Sequence, residues 1–185
     1  PTVANRPPLS WSMAWLAVGE ALYSQELWPA LDAALVAAEQ GDGSIILSLY
    51  DSYFMRNVDG TYPDTIEAFF AISCLDQPGP NTVEGVDANN GAIDRAAPRF
   101  GKSFHGGYVC VFWPVPGITP LRITGSGAGP VIVIGTTNDP ATPIETSARM
   151  AKSLEGGVLL TVNGDGHTGY RQSKCARQIV DRYFV

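Results

Sequence analysis

Val131-Ile132-Val133-Ile134-Gly135-Thr136-Thr137-Asn138-Asp139-Pro140-Ala141-Thr142-Pro143-Ile144-Glu145 is the stretch that decides the fold. Residues 131–135 are a continuous apolar, β-branched run, which predicts a strand buried on both faces, as in parallel α/β sheets. Residues 142–145 predict a helix start. Thr142 would be the N-cap, Pro143 would occupy the first helical position, and Glu145 would complete a capping box. That helix is expected to reach about Leu154, before Gly156-Gly157, and Val158 to Val162 read as a second strand. A final helix is expected from about Tyr170 to Phe184, with Cys175, Ile179, Val180 and Tyr183 facing inward. Strand, helix, strand implies a parallel pair joined by a right-handed crossover. Two parallel strands do not make a sheet with covered faces, so further strands are expected from outside these 185 residues.

Each strand leads directly into a loop that carries chemistry. Open α/β sheets place their active sites at the carboxyl ends of the strands. Asp139 follows the first strand, and Asn163-Gly164-Asp165-Gly166-His167-Thr168-Gly169 follows the second. A serine hydroxyl attacks a carbonyl only when an imidazole takes its proton, and a carboxylate must hold that imidazole in the right tautomer. In α/β-hydrolases the chain order is serine, acid, histidine, so Asp139 before His167 matches the last two members. Taken singly, Asp139-Pro140 reads as an Asx turn, Asp165 as a turn former and His167 as a loop residue. Together, in order and on successive strand ends, Asp139 and His167 are the candidate catalytic acid and base. No Gly-x-Ser-x-Gly occurs. Ser126 precedes a strand instead of following one, and Ser103 lacks the second glycine. His105 shows no carboxylate neighbour of matching context. The nucleophile is therefore expected to lie outside this chain.

Upstream of a flexible connector at 124–130, residues 1 to about 125 read as mostly helical. A helix is expected over Glu26–Glu39, with Ser24 as N-cap and Gly41 as terminator. Others are expected over Ser44–Phe54, from Pro63-Asp64 to Cys74, and over Thr82–Ala96. Tyr108 to Trp113 is ambiguous. The resulting division is a mainly helical cap or lid at 1–125 and a strand-helix-strand-helix part of an α/β core at 126–185. Trp11, Trp15, Trp28, Phe69, Phe70 and Trp113 are candidates for lining a pocket, although aromatic residues are more often core.

Composition narrows the function. With 45% hydrophobic and 16% charged residues the chain is globular, and a net charge of -6 lacks the basic footprint of nucleic-acid binding. No apolar run approaches the roughly 20 residues that span a bilayer. Pro1 is not an initiator Met, so residues upstream are expected to have been removed. Cys74, Cys110 and Cys175 form no CxxC pair, and with only His105 and His167 no metal site is expected. Three cysteines suggest one disulfide plus one cysteine whose partner lies elsewhere, or three buried thiols. No cofactor is expected.

Several stretches resemble a known family. They are Asp51-Ser52-Tyr53, Ala71-Ile72-Ser73-Cys74-Leu75-Asp76, Cys110-Val111-Phe112-Trp113-Pro114, Pro130 through Pro143, and Gly164 through His167. In this order they resemble the C-terminal part of the tripeptidyl-aminopeptidase-like serine hydrolases of actinobacteria. That family takes in secreted tripeptidyl aminopeptidases and cell-envelope carboxylesterases and serine proteases. The resemblance implies an α/β-hydrolase with a helical cap inserted before its last strands, secreted or attached to the envelope. It implies cleavage of peptides or esters through an acyl-serine, with Asp139 as triad acid and His167 as triad base. It further implies a Cys74–Cys110 disulfide, and a partner for Cys175 in a tail after the last helix. The family's serine elbow would lie before Pro1, so the expected partners are a peptide or ester substrate and an N-terminal part bearing the serine. On that reading the chain is inactive alone. The alternative is a non-catalytic peptide- or partner-binding domain with a relic Asp/His pair.

Overall fold

The computed structural model describes residue 6, residues 8–76 and residues 79–185; Pro1 and the processing expected there lie outside them. The contacts divide the chain into two compact units, one built from residues up to Tyr53 with Arg122–Val185, the other from Phe54–Leu121. The sequence reading placed a single boundary near 125; the contacts group residues up to Tyr53 with the strands instead.

The first unit opens with α1 (Trp11–Leu22), a helix the sequence reading did not anticipate, capped by the Ser10 hydroxyl on the Met13 amide. After it, Ser24 caps a single 3₁₀ turn at Gln25–Leu27, and α2 begins only at Trp28 and runs to Glu39. The expected helix from Glu26 is thus a tight turn followed by a helix, because Pro29 suits a first helical turn and not an interior. Gly41, at φ +85°, stops the chain, and α3 (Ser44–Tyr53) follows. These helices pack through small residues. Ala17, Ala21 and Ala34 are almost fully buried, with Ile46 and Leu49 against them, so the backbones approach closely and aliphatic side chains fill the space between.

The sheet is two parallel strands, β1 (Val131–Asn138) and β2 (Gly157–Asp165), linked by α7 (Ile144–Ser153). The strand-helix-strand expectation holds, and both strands run about three residues further than the apolar runs suggested. Backbone register, Val131 opposite Gly157 and Thr136 opposite Val162, continues past the apolar residues up to an irregularity before Asn138 and Asp165. Glycines let helices approach both faces. A Cβ at Gly135 would lie 2.4 Å from Ile144 Cδ1 on α7, and one at Gly169 would lie 2.7 Å from Val162. The expected single C-terminal helix is two: α8 (Gly169–Gln172) and α9 (Lys174–Tyr183), separated by extended Ser173, whose hydroxyl caps α9 through the Ala176 amide. This break resets the helical phase. Ala176 is buried, whereas Cys175, Ile179 and Tyr183, expected to face inward, are exposed, and Val180 is half-buried.

The second unit holds α4 (Thr65–Asp76), α5 (Val83–Ala96) and the single turn α6 (Tyr108–Val111). Cys74 and Cys110 form a disulfide that joins α4 to α6 across 36 residues of sequence. Asn90, buried on α5, accepts from the Gly106 amide. His105 contacts Asp94 at 2.8 Å, so this histidine does have a carboxylate partner, one turn beyond Asn90 on the same helix. Sequence distance hid the pair.

Candidate active site

Asp139 and His167 emerge from adjacent strand ends and meet. The imidazole Nδ1 lies 3.0 Å from both Asp139 oxygens. Asp139 is 8% exposed. Its carboxylate is saturated with donors. Oδ1 accepts from the Ala141 and Thr142 amides at 2.9 and 2.8 Å, while Oδ2 accepts from the Thr142 hydroxyl at 2.9 Å and the Thr168 amide at 3.3 Å. One carboxylate therefore both closes the Asx turn and contacts the His167 ring. Burial alone would raise its pKa. The Thr142 and Ala141 amides, His167 and the Thr142 hydroxyl outweigh that and hold it below the ordinary carboxylate range.

Thr142 departs from expectation. Helix α7 starts at Ile144 after Pro143, which provides no side-chain cap. The expected capping box does not form, because Asp139 already engages the Thr142 hydroxyl, whose oxygen also lies 3.4 Å from His167 Nδ1. The sequence favours a helix N-cap over a catalytic role for this threonine, and the structure instead turns its hydroxyl to Asp139.

The His167 loop is held from several sides. The His167 amide donates to the Tyr23 carbonyl at 2.8 Å, and the His167 carbonyl accepts from Gln172 Nε2 at 3.0 Å. Gly166 sits at φ +97°, where a Cβ would meet the Tyr23 carbonyl oxygen at 2.6 Å, so only glycine fits. Thr168, β-branched, is held at φ +67°, a conformation that costs free energy and persists only where its surroundings dictate it. The Tyr23 ring packs on the imidazole, centroids 5.0 Å apart. Burial, then Tyr53, Glu20 and Asp139, raise the Tyr23 pKa, so its hydroxyl stays neutral. No sequence signal marked Tyr23; it lies 144 positions from His167 and reaches it only through the fold.

With Nδ1 pointed at a carboxylate, the proton belongs on Nδ1 and Nε2 is left as an acceptor. Among the described residues nothing hydrogen-bonds to Nε2, and His167 lines an open cavity of about 1000 Å³. None of the six aromatic pocket candidates lines it. Trp28 instead borders a separate apolar hollow of about 350 Å³ with Leu22, Leu31 and Leu35. Among the described residues there is no group of three or more metal-ligating side chains, and no helix is long and apolar enough to cross a membrane.

Residues 97–185 match the family of TAP-like proteins, a branch of the α/β-hydrolases. The chain is 35% identical to carboxylesterase B of Mycobacterium tuberculosis, over 96% of this chain and 35% of that protein. It is 34% identical to serine protease Hip1 of the same organism, again over 96% of this chain and 35% of that protein. The tripeptidyl aminopeptidase of Streptomyces lividans is 28% identical over 63% of this chain and 22% of its own length. The chain spans about a third of the length of the first two relatives. A helical chain with a short parallel sheet, carrying an aspartate and a histidine in order on its two strand ends, is consistent with part of an α/β-hydrolase fold, and its residues 97–185 match the TAP-like family.

Proposed function

We propose that this chain supplies the acid and the base of a serine hydrolase that cleaves ester or peptide bonds through an acyl-serine. The serine and its oxyanion-binding amides come from residues outside these 185. The observation that carries the reading is the His167 ring, held by Nδ1 against both oxygens of a buried carboxylate while Nε2 stays unengaged. As the serine Oγ attacks the carbonyl carbon, Nε2 takes the hydroxyl proton, and Asp139 stabilises the imidazolium without itself being protonated. The proton then passes to the departing alkoxide or amine. In the second half-reaction a water, deprotonated by the same Nε2, releases the acid and frees the serine.

The length of the relatives supports a nucleophile elsewhere. So do the apolar residues that a two-strand sheet leaves uncovered: Val158 is 50% and Leu159 36% exposed. The same reading puts the protein in an oxidising compartment, outside the cytoplasm or in the envelope. The Cys74–Cys110 bridge supports this, because structural disulfides persist where thiols are not kept reduced.

The test uses the full-length protein. A fluorophosphonate should label one serine outside residues 1–185, located by peptide mapping. His167→Ala should abolish turnover of a chromogenic ester, and Asp139→Asn should lower kcat steeply, by about 10⁴-fold where an orienting acid has been so altered elsewhere. Unchanged turnover in His167→Ala, or no labelled serine, would end the reading and favour a binding domain.

A further inference from the structure

The sequence predicts Asp165 as a turn former, and in the structure its carboxylate meets residues from two other segments. It ends β2, two residues before His167, and its register partner is Asn138, one residue before Asp139. Here the regular ladder breaks, between Thr136 and Asn138. Backbone pairing alone does not hold the two strand ends at this level; the Gly166 amide reaches the Asn138 carbonyl only at 3.4 Å. Side chains take over. The Thr137 hydroxyl accepts from the Gly164 amide at 3.0 Å, and Asp165 Oδ1 accepts from Asn138 Nδ2 at 2.8 Å. The other oxygen, Oδ2, accepts from Gln25 Nε2 at 2.7 Å, in the turn after α1. That turn begins two residues after Tyr23, whose carbonyl holds the His167 amide. Among the described residues Asp165 has no ion pair. Its charge serves two amide donors, which are strengthened by it.

We propose that Asp165 is a positioning residue. It ties the exit of β1, the exit of β2 and the turn after α1 at one carboxylate, and so sets the separation of Asp139 from His167. The inference rests on the hydrolase reading above. It differs in that it concerns the spacing of the two groups and not their chemistry. Asp165 takes no part in bond-making. Its effect passes through the two loops it joins, and a displacement of about 1 Å between reacting groups can cost on the order of 10²-fold in rate.

The experiment measures ester and peptide turnover by the full-length protein with Asn138→Leu, Asp165→Ala and Asp165→Asn, beside His167→Ala. Asn138 is exposed, so leucine there removes the donor without opening a cavity. Asn138→Leu and Asp165→Ala should each lower kcat by roughly tenfold or more with KM almost unchanged, the pattern of lost orientation rather than lost binding. Asp165→Asn should recover most of the rate. An asparagine can accept from Gln25 and donate to a flipped Asn138 amide, and the tie is kept in neutral form. Should Asp165→Ala not fold, Asn138→Leu and Asp165→Asn carry the comparison. Wild-type kcat in Asn138→Leu would overturn the proposal, as would an Asp165→Asn as impaired as the alanine variant. If either occurs while His167→Ala is dead, positioning by Asp165 fails and the hydrolase reading stands. If His167→Ala keeps full activity, the hydrolase reading itself has failed.

Discussion

At the scale of single residues, the Asp139 carboxylate accounts for most of the site's order. It closes the turn after β1, engages Thr142 and orients His167, so one side chain joins local backbone geometry to chemistry. Thr142 is the residue whose role changes most from sequence to structure. Thr142→Val keeps the shape and removes the donor to Oδ2. It should lower kcat of the full-length enzyme on the order of 10- to 10²-fold through lost orientation, whereas Thr142→Ser should retain most activity. Equal rates for valine and threonine would show that the hydroxyl is not used. Asp139 also has a pH signature. Its folded pKa lies below the unfolded value of about 3.9, so the unfolded chain binds the proton more tightly. The stability it contributes is fully present above that unfolded value and is lost as pH falls through the lower, folded one. Urea unfolding at pH 6 and pH 3 should show the wild type losing more stability on acidification than Asp139→Asn. Parallel losses would contradict the assignment.

At the scale of elements, glycines decide how closely α7 and α8 approach the strands. Gly157 opens β2 directly beneath the end of α7, where a Cβ would stand 2.1 Å from the Ala151 carbonyl oxygen. That neighbour is backbone and cannot swing aside. Gly157→Ala should therefore destabilise the protein by about 1–3 kcal/mol, the usual cost of forcing atoms into a packed interior. A thermal melt unchanged from wild type would refute the packing argument. The elements themselves were legible unevenly. The apolar runs at 131–135 and 158–162, with the glycine pair at 156–157 closing the helix between them, marked the strand-helix-strand unit. The break at Ser173 was not legible, since Ser is compatible with both a helix interior and a cap, and only the Ala176 amide shows which role it takes. Helix α1 escaped as well. Its buried face is built on Ala17 and Ala21, which carry little hydrophobic periodicity.

At the scale of the molecule, the Cys74–Cys110 bridge shows how far sequence reading reaches. Three cysteines left the pairing open, the family resemblance implied it, and the structure places the two residues in bonding contact. Closing 36 residues of sequence should stabilise the unit formed by Phe54–Leu121 by about 3–4 kcal/mol through the entropy taken from the unfolded chain. Replacing both cysteines by serine should lower the urea midpoint accordingly and speed proteolysis within that unit. An unchanged midpoint would show that the bridge adds nothing. The sequence by itself determined the order acid then histidine, the parallel strands that deliver them and the lack of a serine elbow within these 185 residues, because those properties follow from periodicity and motif. Only the tertiary structure decided that Thr142 serves Asp139, that His105 has Asp94, that the Tyr23 carbonyl takes the His167 amide and that Gln25 meets Asp165. Apart from Thr142 and Asp139, which share one turn, these are contacts between residues that nothing local relates. A donor's partner is set by where the packed chain brings it, and the bond to Asp139 suits Thr142 as well as the helix cap its sequence advertises.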